Sequence, residues 1–231
     1  MRKPVFYTEA AYGIGLLLLA FGTALTERGG FGISMVVAPA YLLHLKLSAF
    51  LPWFSFGVAE YAFQALVLLL LTLLLKKGKL SYLLSFATTV LYGLALDVSM
   101  LLTSMLPADT LTTRFLVYLP GVLICAAGIS LLFRTYLPPE AYELFVKELA
   151  VRLRKPIPLT KTVYDCGSLL LSVLLSYMFF GKIVGLGPGT VVCALANGIL
   201  IRLFTGIFDR FFHFRDRFTL RNYFEEREET L

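Results

Sequence analysis

Gly15-Leu-Leu-Leu-Leu-Ala-Phe-Gly22 and, at an offset of 106, Gly121-Val-Leu-Ile-Cys-Ala-Ala-Gly128 are two versions of one apolar segment. Glycines match at both ends, Ala20 falls on Ala126, and beyond the segment Arg28 falls on Arg134. Apolar matches alone would mean little, because any two membrane helices supply them; glycines and arginines in register are harder to obtain by chance. Working outward past a small gap, Pro39-Ala40-Tyr41 lies against the end of Pro138-Pro-Glu-Ala-Tyr142, and Lys46 against Lys147. An offset of 105 then brings Glu60 onto Asp165 and Asp97 onto Arg202. The chain reads as two copies of one unit.

Composition says where that unit resides. The 231 residues are 58% hydrophobic and only 16% charged, whereas soluble domains run near 25% charged. Mean hydropathy is +0.79. A soluble enzyme, a disulfide scaffold and a disordered chain are all excluded by these values and by three cysteines with no C-x-x-C pair. The net charge of +6 is better assigned to loops beside an anionic leaflet than to nucleic acid.

Six stretches are long and apolar enough to span a bilayer: about 10–26, 57–75, 80–105, 115–133, 162–180 and 183–208. The first resembles a signal peptide in its flanks, since Arg2 and Lys3 precede it, but the repeat requires it as a retained helix. With both termini inside, sixteen of the 21 Lys and Arg residues fall in inner segments and four, Arg28, Lys46, Arg114 and Lys182, in outer ones. That asymmetry predicts cytoplasmic N- and C-termini.

The expected fold is therefore an all-α membrane protein of six transmembrane helices, in one membrane domain over 1–208. Repeat one covers about 10–105, repeat two about 115–208, and a Phe/Arg-rich then acidic cytoplasmic tail follows over 209–231. Three spans per unit is an odd number, so the second unit enters from the opposite side. This is the inverted-repeat plan of many secondary transporters, whose sites lie at the repeat interface. Each unit also carries a Pro-containing connection between its first two spans. The cytoplasmic one, 138–153, has Tyr142, Phe145, Val146, Leu149, Ala150 and Leu153 at helical spacing. Glu143/Lys147 and Glu148/Arg152 fall on its other face as i,i+4 pairs, which predicts an interfacial amphipathic helix. The external one, 33–56, is apolar nearly all round and should dip into the bilayer or pack inside the bundle. Trp53 within it suits an interface anchor.

These residues resemble a known family. A Gly-x-Gly helix running into Glu27-Arg-Gly-Gly-Phe-Gly-Ile-Ser34 is similar to the small bacterial membrane proteins of the YczE/YitT group. So is the run from Pro138-Pro-Glu-Ala-Tyr-Glu-Leu-Phe145 through Lys161-Thr-Val-Tyr-Asp165 to Val184-Gly-Leu-Gly-Pro-Gly-Thr190. The likeness covers most of 12–204, the second half more strongly; in the first half the usual Ser-Pro-Trp-like stretch reads Ser34-Met-Val-Val-Ala-Pro39. The resemblance implies a multi-pass protein of the bacterial plasma membrane, often described as a transporter of unsettled substrate. It brings no functional residue with it.

Four ionisable residues fall within spans: Glu60, Asp97, Asp165 and Arg202. A charge at a helix centre costs about 2.5–3.5 kcal/mol on insertion scales, so each should face the interior and have a partner. Asp97 and Arg202, at equivalent positions, are the expected ion pair. The pair is either a fixed clasp or one that opens when an anionic substrate group takes the arginine or when the aspartate is protonated. Glu60 and Asp165 either snorkel or cap their helices, or form a coupling pair for protons or sodium or anchors for a cationic substrate. Gly185-Leu-Gly-Pro-Gly-Thr190 opens the last span. Its glycines, Gly187 and Gly189, either offer backbone contacts to an anion or let a turn pack tightly. Thr190 and Asn197 share a face and could line a polar path, with interhelical hydrogen bonding as the plainer role for Asn197. Cys125, Cys166 and Cys193 read as small packing residues. With His44 and His213 on opposite sides, no metal site, catalytic triad or cofactor is expected.

The expected function is a secondary transporter of a small polar metabolite, proton- or sodium-coupled, and not an enzyme. Expected partners are the lipid bilayer, an unknown small-molecule substrate and a second copy in a homodimer, with no nucleic acid. The alternative is a non-transporting accessory protein acting through the cytoplasmic helix and tail.

Overall fold

The computed structural model describes residues 3–75, 80–155 and 157–218. In chain order the elements are β1 (Val5–Tyr7), α1 (Thr8–Gly29), α2 (Ala38–Leu47), α3 (Phe56–Leu75) and α4 (Leu80–Thr103). Then come α5 (Leu111–Leu132), α6 (Ala141–Leu153), α7 (Ile157–Phe180), α8 (Pro188–Phe211) and β2 (His213–Arg215). Long helix, short helix, long helix, long helix thus occurs twice. Five of the long helices are apolar enough to cross a membrane. The sixth, α8, qualifies as one span if its two parts, bent by 49° around residue 195, are taken together.

The burial pattern is that of a protein turned inside out. Along α3, Leu66, Leu69, Leu70, Leu73 and Leu74 are exposed, while Glu60, Gln64, Val67, Leu68 and Leu71 form the buried stripe. In water that exposed leucine face would be an association liability; in lipid it is the contact surface, and the polar groups turn inward to bond each other. The chain is a multi-pass membrane protein.

At the centre α1 and α5 cross closely and run antiparallel. A Cβ added at Gly15 would lie 2.9 Å from the Gly128 carbonyl oxygen, and one at Gly22 would lie 2.8 Å from that of Gly121. Only glycine allows this approach. In repeat register Gly15 is the counterpart of Gly121, and Gly22 of Gly128, so each contact is the other with its partners exchanged. Arg114 fixes the end of the pair, donating to the carbonyls of Gly29 (2.9 Å) and Gly30 (2.5 Å) where α1 stops.

The fold is all-helical, as expected, apart from a short clasp in which β1 and β2 pair in parallel, Phe6 opposite Phe214. Glu9 ties this clasp down by accepting the backbone N–H groups of Arg217 and Phe218 and the Tyr136 hydroxyl. One expectation is corrected: the apolar face of α6 is covered by protein and not by lipid. Ala141, Tyr142, Leu144, Val146 and Ala150 are buried, and α6 packs on α3, α4 and α7. Amphipathicity marks one apolar and one polar face, but it does not say whether protein or lipid covers the apolar one. On the other side of α6, Glu143, 13% exposed, bonds Lys161 on α7 (2.7 Å). The external connection becomes α2, with Ala38, Pro39, Ala40 and Leu42 buried against its neighbours. Trp53 is 66% exposed. The acidic end of the tail lies outside the described residues.

Candidate functional site

The site begins with Gln64. It lies two turns into α3, roughly 12 Å along the helix axis at 1.5 Å per residue, and is fully buried. Its carbonyl oxygen accepts from the Thr89 hydroxyl of α4 (2.8 Å) and from the Ala141 N–H at the start of α6 (3.0 Å). With both donors on that side, the amide NH2 is forced toward the other, where it donates to Glu60 Oε2 (3.1 Å) and Glu140 Oε2 (3.2 Å). Two buried carboxyl groups are thus bridged by one amide group. Tyr142 donates its hydroxyl to the same Glu60 oxygen (3.0 Å). The remaining oxygens, Glu60 Oε1 and Glu140 Oε1, are buried and have no hydrogen-bond partner.

The chain reaches this depth because α4 supplies hydroxyls for a proline segment. Ser85 donates to the Pro139 carbonyl (2.6 Å) and Thr88 to that of Pro138 (3.1 Å). Prolines carry no N–H, so Pro138 and Pro139 enter the interior needing only donors for their carbonyls, which these hydroxyls provide. Burial holds the Glu140 carboxyl well above the usual carboxylate range, and the neighbouring Glu60 adds to the effect. The Tyr142 phenol is likewise pushed up, by burial first and Glu60 second.

A small cavity of about 60 Å3 opens beside this network, between α1, α4, α5, α6, α7 and α8. Glu140, Tyr142 and Glu143 line it from α6 and its entry, Lys161 from α7 and Asn197 from α8. Apolar side chains such as Leu19, Val122 and Ile129 make up much of the rest. Lys161 is already engaged: it bonds Glu143 at 2.7 Å and pairs with Asp165 at 3.5 Å. A second cavity, lined by Glu27, Tyr41 and the Gly185–Pro188 turn, lies where the α1–α2 and α7–α8 connections meet. Those connections are joined by Ile33 N–H to Gly185 O (3.0 Å) and Gly189 N–H to Phe31 O (2.8 Å).

The residues singled out from sequence divide among these places. Glu60 is in the network, Asp165 on its flank through Lys161, and Asn197 on the cavity wall. Asp97 and Arg202 are not paired. Asp97 accepts from the Ser55 hydroxyl (2.6 Å) and the Gly57 N–H (2.8 Å), capping α3, while Arg202 lies on an exposed face of α8. Equivalence in the repeat gave them matched positions in sequence, but their surroundings differ: Asp97 meets the start of α3, and Arg202 lies on the exposed side of α8. Thr190 is buried at the start of α8, where its hydroxyl oxygen accepts the Gly187 N–H (3.2 Å). Since the Gly189 N–H goes to Phe31, the glycine turn serves packing and leaves these two groups no hydrogen for an anion. Cys125 and Cys193 line the cavity, whereas Cys166 is exposed. Among the described residues no group of three or more His, Cys, Asp or Glu is placed to hold a metal ion.

Gln64, Glu140, Glu143 and Lys161 were not recognised as site residues from sequence. The available signal was the doubled proline before Glu140, whose counterpart stretch at Pro39-Ala40-Tyr41 has no acid.

A bundle of lipid-facing helices enclosing a cavity with buried carboxyl groups defines the class: a multi-pass membrane protein with an interior polar site. The chain belongs to the family of unknown function DUF6198, whose model matches residues 6–206 and so takes in every element of the site. It is 23% identical over 210 residues to the uncharacterized protein YyaS of Bacillus subtilis (strain 168), covering 89% of this chain and 96% of that one. No solved structure matches it.

Proposed function

We propose that this protein is a small secondary transporter that moves a small polar metabolite through a site between two inverted three-span repeats, driven by protons or sodium. The observation that carries the reading is the interior cavity bordered by Glu140, whose free carboxyl oxygen lies beside the Glu60–Gln64 network. Carboxyl groups held this far from water, in a membrane bundle, are costly unless they bind something. The exchange symmetry of the Gly15–Gly128 and Gly22–Gly121 contacts supports the repeat plan, because a pseudo-twofold axis between α1 and α5 generates one from the other. In this reading Glu60 and Glu140 are the coupling groups, and Asp165 acts through Lys161. Asp97 and Arg202 are removed from the gate. The Lys and Arg distribution supports cytoplasmic termini, and the YczE/YitT resemblance supports a bacterial plasma membrane.

The test is uptake into proteoliposomes. A mixed metabolite pool is offered under an imposed proton or sodium gradient, and the contents are identified by mass spectrometry. At least one metabolite should accumulate with the wild type and fail to do so with Glu60→Gln. If none accumulates under either gradient, with the protein still folded by its melting transition, transport is refuted and the accessory reading takes its place.

A further inference from the structure

The chemistry of the cavity wall narrows what can occupy it. Two acids, Glu140 and Glu143, line it, and the one lysine among its lining residues is committed to Glu143 at 2.7 Å and Asp165 at 3.5 Å. An anion would have to displace one of these carboxylates while facing Glu140. A neutral ligand would leave Glu140 Oε1 as it stands, buried and without a hydrogen-bond partner, although Glu140 is only 3% exposed. A bare metal ion lacks ligands: no cluster of three suitable side chains exists among the described residues, and much of the wall is hydrocarbon. Tyr92 and Tyr142 also line the cavity, and their hydroxyls are already directed elsewhere, to Thr23 (3.1 Å) and Glu60 (3.0 Å). What they offer a ligand is therefore aromatic surface, which attracts organic cations.

We infer that this cavity binds a small organic ammonium ion, its charge against the Glu140 carboxylate and its hydrocarbon body against Leu19, Val122 and Ile129. The inference rests on the transporter reading for the cavity's role and adds the chemical class of its substrate. Glu140, which gives up its proton as the cation enters, supplies the charge at one end of a largely apolar space, and that combination of one ionic anchor and mainly apolar walls selects amines with a carbon skeleton over hydrated inorganic cations. Glu143 is the weaker contact, because its charge is shared with Lys161. Of the two acids on the wall, Glu140 alone combines burial with a free oxygen.

Three small probes of similar size and different charge test it: propylammonium, propanol and propionate, titrated calorimetrically into the purified full chain in nanodiscs. Propylammonium should bind, and the alcohol and propionate should bind at least about tenfold more weakly. Glu140→Gln, which keeps shape and can still accept from Gln64, should weaken propylammonium by roughly thirty-fold or more, Glu140→Asp by less, and Leu69→Ala on the lipid face not at all. Equal binding of the alcohol, preference for propionate, or propylammonium binding unchanged in Glu140→Gln each overturns the ammonium class. So does failure of all three probes to bind. None of these results bears on transport itself, which is decided separately by the gradient-driven uptake of unselected metabolites. If Glu140→Gln does not yield folded protein, Glu143→Gln takes its place and should cost several-fold in propylammonium affinity; no change there overturns the assignment equally.

Discussion

Replacing Gln64 with leucine removes the amide that holds α3, α4, α6 and two carboxyl groups together. Four hydrogen bonds are lost at once: those from Thr89 and Ala141 to its carbonyl, and those from its NH2 to Glu60 and Glu140. Interhelical hydrogen bonds in membrane proteins average only about 0.6 kcal/mol, because the unfolded chain in a membrane also finds partners. Three of the four are interhelical, the Glu60 bond lying within α3, and at that value they give a floor of about 1.8 kcal/mol. The Ala141 N–H raises it. A buried backbone donor left without an acceptor costs about 1–3 kcal/mol on its own, and the remaining oxygens of both carboxyl groups already have no partner. The expected destabilisation is therefore about 3–5 kcal/mol. Leucine is close in volume to glutamine, so packing loss is not the cause, and Leu69→Ala on the lipid-exposed face of the same helix is the control, expected below about 1 kcal/mol. The assay is reversible unfolding in mixed detergent micelles followed by helical circular dichroism. A loss under about 1 kcal/mol for Gln64→Leu would show that the network does not anchor α6 and that Gln64 is not the bridge between the two carboxyl groups.

Two further predictions concern groups whose assignment changed between sequence and structure. Asp97→Ala should cost about 1–2 kcal/mol, as loss of a helix cap does, and Arg202→Gln should add independently to it; a double-mutant cycle giving coupling above about 0.5 kcal/mol would restore the ion pair expected from the repeat. The Glu140 carboxyl is raised above its ordinary value by burial and by Glu60, so the folded chain keeps that proton over a pH range where the unfolded chain has lost it. Its contribution to stability is complete below the ordinary carboxylate range and is lost as pH rises through the raised value. Melting temperature should decline over that interval in the wild type and be flatter in Glu140→Gln; identical pH profiles refute the assignment.

What could be read from sequence and what could not follow from the kind of signal each residue leaves. The spans are written in hydropathy over twenty residues, and their ends came within a few residues of the helices, as with 57–75 against Phe56–Leu75. Gly15, Gly22, Gly121 and Gly128 were legible because a glycine inside a membrane helix has few purposes besides close approach, and the structure uses all four in the α1–α5 crossing. Charged residues were legible only where the surrounding hydropathy made them conspicuous. Glu60 stood out against α3, but Glu140 lies in a connection rich in charge, next to Glu143 and Lys147, where an acid draws no notice. Its burial depends on Ser85 and Thr88, about fifty residues away, donating their hydroxyls to the carbonyls of Pro139 and Pro138. No local pattern encodes that partnership. Asp97 shows the opposite failure, since its repeat partner was sound in sequence yet its nearest donors, Ser55 and Gly57, lie just ahead of and at the start of α3.

The two failures share a cause that bears on mechanism. Sequence symmetry relates positions and not environments: Asp97 caps a helix in one half while its counterpart Arg202 is exposed in the other. Likewise Tyr41, the counterpart of Tyr142, donates to Glu27 at the mouth of the second cavity rather than to a carboxyl group in the core (3.0 Å). A symmetric pair of tyrosines therefore bonds two acids in two places, one in the interior network and one where the connections meet. In a transporter built of inverted repeats, such unequal use of equivalent residues is what a single asymmetric state requires, because the exchange of roles between halves is the transition itself. The α1–α5 glycine contact is self-matched and need not change in that exchange. The Glu60–Gln64–Glu140 bridge, by contrast, meets Pro39 and not an acid at the counterpart of Glu140, and it would have to open. Under the transporter proposal, motion is concentrated at α6 and its partners, with the α1–α5 crossing as the fixed axis.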